Sequence, residues 1–313
     1  MEQMKVCVKA VKLPEVRQGG YHAMAQDHHY IPAFYLRRWT DDGGRLYGFC
    51  RPHKKLIGKQ YTPERIGFET DLYTFPEAGP TGESYLEDQF LRILDQGASD
   101  ALRHIETTLC KPEDARLRSG WSRFLMSLIL RHPEGVERLT DVARQLEREV
   151  EEDFKANYDQ HRLPSYPPTF EEYRKGMKSG SLYEAQTEIM LLQRLMDNPR
   201  LGSFLNGLVW KVVPVESAYT LLTSDRPLVM TNGLVKPDDH LALAIGPRKL
   251  FIAANTSDVA SSLAALRHDD LVGQMNDQVC KRARRYVFAI DDRQRTFIDR
   301  RLGLKWPSTP LDT

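Results

Sequence analysis

The spacing of apolar residues divides the chain into three parts. Between residues 83 and 206, apolar positions recur every three or four residues, which predicts a helical section. On either side, short runs rich in valine, leucine, tyrosine and phenylalanine alternate with turn residues, which predicts strands. We therefore predict an α+β fold, in which N- and C-terminal segments build one mixed β-sheet and a large central helical section covers it.

Individual elements follow from the same patterns. Pro32 disfavours helix at the residue before it, so residues 28–31 should be extended and residues 33–39 should form a short helix. Strands are predicted at residues 45–50, 54–57, 71–75, 210–214, 219–223, 228–230, 241–245, 250–254 and 285–290. Helices are predicted at residues 83–109, 114–131, 134–158, 170–176, 182–197 and 258–280, the last with a break near residues 268–270.

The length of 313 residues suits one large domain or two intimate ones. We expect a single domain of catalytic type over residues 23–306, a poorly ordered lead-in over residues 1–22 and a tail over residues 307–313. Met24 is an alternative start. The four scattered cysteines, the short apolar runs and an N-terminus unlike a secretory signal predict a cytoplasmic protein without a membrane span.

Charge is unevenly distributed behind a net value of +1. Residues 1–60 carry 11 basic and 5 acidic side chains, and residues 271–313 carry 9 and 5. The centre is acidic, with 24 basic and 33 acidic side chains. If the two ends meet in the fold, they would form one positive face suited to phosphates.

Residues 27–39 combine histidine, aromatic and arginine side chains at high density. His28 and His29 are candidates for acid–base catalysis, and on a strand their side chains would point to opposite faces, so one would act while the other is structural. The alternative is a buried aromatic core with satisfied histidines. The expected ligand contacts are base stacking by Tyr30, Phe34 and Tyr35, and phosphate binding by Arg37 and Arg38.

A second candidate block, Thr223 to Pro227, follows an apolar run. Asp225 at the exit of a buried strand is a candidate catalytic carboxylate, and Ser224 would orient it or a water molecule. The alternative is a turn in which the Asp225 side chain caps the backbone.

Further candidates lie elsewhere along the chain. Arg131 ends an apolar helix, where it would clamp a phosphate or only complement the helix dipole. Asn276 would read a base edge or cap a strand. A basic patch suited to nucleic-acid phosphates contains Lys281, Arg282, Arg284 and Arg285.

Several functional motifs are missing from the sequence. It contains no GxGxxG after a strand, no GxxxxGK[ST], no HExxH and no GxSxG, which disfavours P-loop, zincin and α/β-hydrolase chemistry. The cysteines have no metal-ligand spacing. We therefore expect neither a metal nor a cofactor.

The blocks HHYIPAFYLRRW, LRHPE and TSDRPL resemble a bacterial family catalogued as domain of unknown function 4238, over roughly residues 27–290. Arg226 departs from the pattern, because the resemblance implies a smaller polar residue there. The resemblance also implies a link with phage defence, including removal of modified bases from phage DNA. The family-like positions are His28, His29, Pro32, Tyr35, Leu36, Arg37, Arg131, Ser224, Asp225, Pro227 and Asn276.

These features favour a DNA-directed N-glycosidic hydrolase, which excises a modified base and leaves an abasic site. Asp225 would activate water or stabilise the sugar cation. His28 or His29 would donate a proton or orient a reacting group. The expected partner is phage DNA with modified bases. One alternative is a metal-dependent nuclease, which the His-His-x-x-Pro string loosely matches. Another is a non-catalytic defence module that binds nucleic acid or protein.

Overall fold

The computed structural model describes residues 27–73, 86–176 and 181–303. The lead-in expected over residues 1–22, the alternative start at Met24 and the tail expected over residues 307–313 lie outside the described residues. Within them, the predicted α+β class is confirmed.

The described strands fall in the two outer parts of the chain, as the alternating pattern predicts. They are β1 (Asp27–His29), β2 (Leu46–Cys50), β3 (Ile57–Tyr61), β4 (Phe68–Thr70), β5 (Val209–Pro214), β6 (Thr223–Ser224), β7 (Val229–Met230), β8 (His240–Gly246), β9 (Lys249–Ala254) and β10 (Val287–Ala289).

The outer segments meet in a four-stranded sheet with the order β3-β2-β10-β6. Strand β10 lies between β2 and β6, with Val287 opposite Phe49 of β2 and Ser224 of β6. This sheet confirms that the N- and C-terminal segments meet. It is antiparallel throughout and is accompanied by a second sheet, β5-β9-β8-β7, and a small sheet, β1-β4.

Three predicted strand positions differ from the observed ones. The strand expected at residues 219–223 overlaps β6 only at Thr223, because the Leu222 amide and the Thr220 carbonyl bond to the Asn276 side chain and not to a neighbouring strand. The strand expected at residues 71–75 lies instead at residues 68–70, because Asp71 has a φ of 59° and turns the chain. Strand β3, the partner of β2, begins at Ile57. The strand expected at residues 54–57 is therefore displaced toward the C-terminus.

The described helices fill the central part and cover the sheets. They are α1 (Ala33–Leu36), α2 (Arg92–Thr108), α3 (Ala115–Leu130), α4 (Pro133–Ala156), α5 (Tyr158–His161), α6 (Phe170–Gly176), α7 (Ser181–Met196), α8 (Pro199–Gly207), α9 (Ser257–Ala264), α10 (His268–Arg282) and α11 (Arg295–Asp299). The expected break between the last long helices lies between α9 and α10. A π-helical turn, Leu86–Leu91, precedes α2.

Helices α2 and α3 approach each other at a pair of glycines. A Cβ atom on Gly120 would lie 2.8 Å from the carbonyl oxygen of Gly97. The buried face of α2 consists of Leu94, Ala98, Ala101, Leu102 and Ile105, the helical spacing that the sequence predicts.

The short helix α1 connects both larger sheets through buried aromatic side chains. The Tyr35 hydroxyl donates a hydrogen bond to the Ala244 carbonyl at 2.7 Å and lies 2.8 Å from Thr223 Oγ1. The Trp39 indole donates to the Leu221 carbonyl at 2.9 Å. The aromatic block therefore fixes the sheets relative to each other. No helix within the described ranges has the length and apolar character needed to cross a bilayer.

Candidate active site

Four of the sequence blocks converge on one cavity of about 150 Å³. Its walls come from the end of β1, from β4, from the first turn of α4, from the loop after β6 and from the loop before β10. The lining residues are Tyr30, Glu69, His132, Pro133, Glu134, Asp225, Arg226, Arg284 and Arg285. Pockets for drug-sized ligands are typically about 300–1,000 Å³, so this cavity suits one ring or one phosphoryl group.

The Asp225 carboxylate is buried and bonded to the main chain. Its Oδ1 accepts a hydrogen bond from the Arg284 amide at 3.0 Å, and its Oδ2 accepts from the amides of Arg285 at 2.5 Å and Tyr286 at 3.0 Å. Burial raises the pKa of the Asp225 carboxyl, against these hydrogen bonds and the Arg226 charge, which favour ionisation. Three of its roughly four acceptor positions are occupied, so little capacity remains for orienting water.

Ser224 also bonds to the backbone. Its Oγ accepts a hydrogen bond from the Arg226 amide at 3.1 Å, and the residue is fully buried within β6. It does not line the cavity. The turn alternative weighed for this block therefore describes the observed contacts of both Ser224 and Asp225.

The first turn of α4 places a carboxylate between a histidine and an arginine. Glu134 Oε2 lies 3.1 Å from His132 Nδ1 and 3.4 Å from an Arg226 guanidinium nitrogen. The His132 ring, the α4 backbone and the Arg226 charge hold the pKa of Glu134 at about 2, although partial burial opposes them. Glu134 therefore stays ionised at neutral pH.

His132 begins α4 as its N-cap, because its Nδ1 accepts a hydrogen bond from the Gly135 amide at 3.0 Å. Nδ1 also lies 3.1 Å from Glu134 Oε2, so the tautomer of the ring selects between two contacts. A ring that carries its proton on Nδ1 donates to Glu134, and a ring that carries it on Nε2 accepts from the Gly135 amide. Arg226 provides a counter-charge for Glu134 in both cases.

Tyr30 and Glu69 form the wall contributed by the small sheet. Tyr30 is buried, and this burial, with the nearby Asp225 charge, raises the pKa of its hydroxyl far above the usual range, so the hydroxyl stays protonated. Glu69 is exposed, and its side chain forms no hydrogen bond or ion pair among the described contacts. The cavity therefore offers a neutral O–H donor and an available carboxylate.

The two histidines of the aromatic block lie beside the cavity and do not line it. His28 is buried, its Nδ1 accepts a hydrogen bond from the Tyr73 amide at 2.8 Å, and its ring stacks on Tyr73. His29 is half-buried against Phe68, and burial, together with the Arg131 charge, lowers its pKa. Neither ring is placed for contact with a ligand in this cavity.

Arg131 is fully buried, so its expected contact with a phosphate is not available in this structure. Its guanidinium binds both carboxylate oxygens of Asp95, at 2.8 and 3.2 Å, and donates to the His29 carbonyl at 2.9 Å. Its own carbonyl accepts a hydrogen bond from the Tyr73 hydroxyl. Arg131 thus anchors β1, the strand that carries Tyr30 into the cavity wall.

Three other expected ligand-binding residues lie in the core. Tyr35 is fully buried, and Phe34 packs against Phe124. Asn276 is buried, and its Oδ1 accepts from the Leu222 amide at 2.8 Å while its Nδ2 donates to the Thr220 carbonyl at 2.8 Å. The capping alternative for Asn276 therefore describes its contacts, and none of the three lines the cavity.

The basic candidates divide into two groups. Arg284 and Arg285 are exposed and line the cavity. The others lie outside its wall and have acidic neighbours: Arg37 binds Glu64 at 2.8 Å, Arg38 binds Glu106 at 2.7 Å and Lys281 binds Asp277 at 2.6 Å. Arg282 also lies outside the cavity wall.

The residues whose placement is described contain no cluster of three or more His, Cys, Asp or Glu side chains arranged to hold a metal ion.

The predicted family membership is confirmed. Residues 27–293 match the model of a family described as a protein of unknown function, DUF4238. The chain belongs to this family. No curated protein and no solved structure matches the chain. The family match covers every residue of the cavity wall.

Proposed function

We propose that the chain is a DNA-directed N-glycosidic hydrolase whose active site is the cavity between β4 and α4. The observation that carries the proposal is the ionised Glu134 at the wall of a small, partly open cavity, beside an aromatic hydroxyl and two exposed arginines. Cleavage of an N-glycosidic bond needs these few groups: an anion near the sugar, a donor near the base and cations near the phosphates.

Glu134 replaces Asp225 as the catalytic carboxylate of the proposal. A carboxylate with a pKa of about 2 is a weak base, but it is a permanent negative charge. Such a charge stabilises the oxocarbenium-like cation that develops as the bond from C1′ to the base nitrogen breaks. Asp225 is less suited to this role, because burial raises the pKa of its carboxyl and three main-chain amides already bind its oxygens.

The remaining steps use water and the Tyr30 hydroxyl. The electron pair of the breaking bond goes to the base nitrogen, which Tyr30 stabilises as a hydrogen-bond donor. Water adds to C1′ and loses a proton to solvent, while the released base takes up one proton. The net reaction converts one water and one nucleotide residue into a free base and an abasic sugar.

Arg284 and Arg285 are proposed to hold the phosphates on either side of the extruded nucleotide. Both guanidinium groups are exposed at the cavity, where a DNA backbone has access to them. A cavity of about 150 Å³ excludes a base pair, so the nucleotide must be single-stranded or turned out of the duplex.

The biological setting is proposed to be defence against phage DNA with modified bases, in the cytoplasm. The resemblance of residues 27–39 and of the block Thr223 to Pro227 to the DUF4238 family supports the defence role. The scattered cysteines support a reducing compartment. A metal-dependent nuclease and a non-catalytic binding module remain alternative outcomes of the experiment below.

The test incubates the purified full chain with unmodified and modified phage DNAs, with and without EDTA, and separates free bases, abasic sites and strand breaks. We expect base release that EDTA does not affect and that Glu134→Gln reduces at least about 100-fold. Glu64→Gln is the matched control, because Glu64 is exposed and pairs with Arg37 outside the cavity wall.

Each alternative has its own signature in this assay. Strand breaks that require Mg²⁺ or Mn²⁺ would establish the nuclease instead. Binding without any cleavage product, unchanged in Glu134→Gln, would establish the binding module. Base release that survives Glu134→Gln would contradict the role of Glu134.

A further inference from the structure

We propose that Asp225 is a positioning residue, and that it holds residues 284–286 as an anion-binding element in which Arg284 and Arg285 present their guanidinium groups to a phosphoryl ligand. The inference rests on the proposed function for the identity of the partner as DNA. The binding of a phosphoryl anion at this place can be tested separately.

The geometry of the contact supports positioning. Three consecutive amides, those of Arg284, Arg285 and Tyr286, donate to the one carboxylate at 2.5–3.0 Å. The Asp225 amide in turn donates to the Tyr286 carbonyl at 3.1 Å. Successive amides that converge on one point form the kind of concavity that binds anions, and here the protein's own carboxylate fills it.

The contact continues a sheet register. Immediately before Asp225, Ser224 lies opposite Val287, the first residue of β10. The segment 284–286 is therefore joined to a four-stranded sheet at one end and to α10 at the other. This arrangement fixes the backbone that carries both arginines at the cavity wall.

The charges around the three arginines of the cavity differ. Arg226 lies within 3.4 Å of Glu134. Neither Arg284 nor Arg285 forms an ion pair among the described contacts, although the Arg285 side chain contacts Tyr286 and lies in the field of the Glu69 carboxylate. Two exposed guanidinium groups on one fixed backbone segment can supply donors to the oxygens of a phosphoryl group.

Other surface features of the described residues indicate no ligand class. The larger groove between α4 and α6 alternates basic side chains, such as Arg148 and Lys155, with acidic ones, such as Glu151 and Glu171, so its charge selects no ligand class. The exposed apolar side chains Ile93 and Val235 lie on different elements and have no indicated partner.

The experiment measures binding of inorganic pyrophosphate by titration calorimetry. We expect Arg284→Gln with Arg285→Gln to weaken binding at least about 10-fold. Asp225→Asn should weaken pyrophosphate binding to a similar extent. A variant with all three changes should bind no more weakly than Arg284→Gln with Arg285→Gln, because the aspartate and arginine changes remove the same contact. If Asp225→Asn acted through a general loss of stability, its effect on pyrophosphate affinity would add to that of the arginine changes.

Asp239→Asn is the matched control. Asp239 is also buried, and its carboxylate accepts from the Lys236 amide at 2.8 Å and the Asn232 side chain at 3.0 Å, in a loop outside the cavity wall. This variant should bind pyrophosphate as the unmodified protein does. Equal losses in Asp239→Asn and Asp225→Asn would overturn the inference.

Further outcomes separate this inference from the proposed function. Pyrophosphate binding without DNA binding would refute the proposed function and leave the anion site standing. Absence of pyrophosphate binding, or normal binding by Asp225→Asn, would refute the inference. If Asp225→Asn does not fold, hydrogen exchange of the unmodified protein decides: the amides of residues 284–286 should exchange slowly without pyrophosphate, and fast exchange refutes the inference.

Discussion

Arg131 and Asp95 form a two-contact ion pair, with nitrogen–oxygen distances of 2.8 and 3.2 Å, and Arg131 is completely buried in it. The same guanidinium donates to the His29 carbonyl. One side chain therefore connects the end of α3, the start of α2 and strand β1. The residue that sequence reasoning assigned to a phosphate instead supports the wall from which Tyr30 reaches the cavity.

Replacing Arg131 by Met should lower the free energy of unfolding by about 3 kcal/mol, because the Asp95 carboxylate and the His29 carbonyl lose their partner. Chemical denaturation with two spectroscopic probes measures this loss. The exposed Arg37–Glu64 pair provides the comparison, and Arg37→Gln should cost less than about 1 kcal/mol. Similar costs at both sites would contradict the anchoring role.

Replacing Gly120 by Ala should destabilise the protein by about 1–3 kcal/mol, although alanine favours helix, because the new methyl group meets the Gly97 carbonyl at 2.8 Å. Gly273→Ala on α10 is the matched change, since nothing lies within 4 Å of its Cβ position. It should stabilise by up to about 1 kcal/mol. Thermal unfolding of both variants checks the opposite signs.

Replacing Asn276 by Ala should cost about 2–3 kcal/mol, because the Leu222 amide and the Gln294 side-chain oxygen lose a buried partner, while the Thr220 carbonyl keeps the Gln294 amide as a donor. The dissociation constant of the folded variant for pyrophosphate should stay unchanged, since Asn276 does not line the cavity. A specific loss of ligand binding in a folded Asn276→Ala protein would instead support the base-reading role.

Replacing Glu134 by Gln should change the acid dependence of stability. The pKa of Glu134 is about 2 in the folded protein against an ordinary value of 4.5, so ionised Glu134 stabilises the fold above pH 4.5, and this contribution falls away as the pH approaches 2. Its side chain is 40% exposed, which limits the contribution to below about 1 kcal/mol.

Urea unfolding of the two proteins between pH 7 and pH 3 measures this difference. The unmodified protein should be more stable than Glu134→Gln by a constant amount from pH 7 down to about pH 4.5, and the gap should narrow below that pH. A gap that widens toward low pH would show that Glu134 is not held in its ionised form.

Local patterns predicted much of the fold. The helical spacing of Leu94, Ala98 and Leu102 identifies α2, and the alternation around Leu46 and Val287 identifies strands that prove to be paired. These signals are strong because a half-buried strand or helix repeats its apolar face at a fixed period.

The partners of single polar side chains were not predictable in the same way. The donors to Asp225 lie 59 to 61 residues further along the chain, and no local pattern shows which amides will meet a carboxylate. Glu69 was not predicted as a site residue either. The expected strand began at residue 71, whereas Asp71 turns the chain and the observed strand β4 ends before it. The sequence predicts a helix from residue 134, but no local pattern shows that the first turn of this helix faces the loop from Thr223 to Pro227.

The pairing of β2 with β10 has a consequence for the order in which the protein is made. Residues 46–50 cannot complete their sheet until residues 287–289 have left the ribosome. The N-terminal hairpin therefore has an open strand edge until those residues are synthesised. The cavity wall, which also needs residues 284 and 285, can form only after those two residues have emerged.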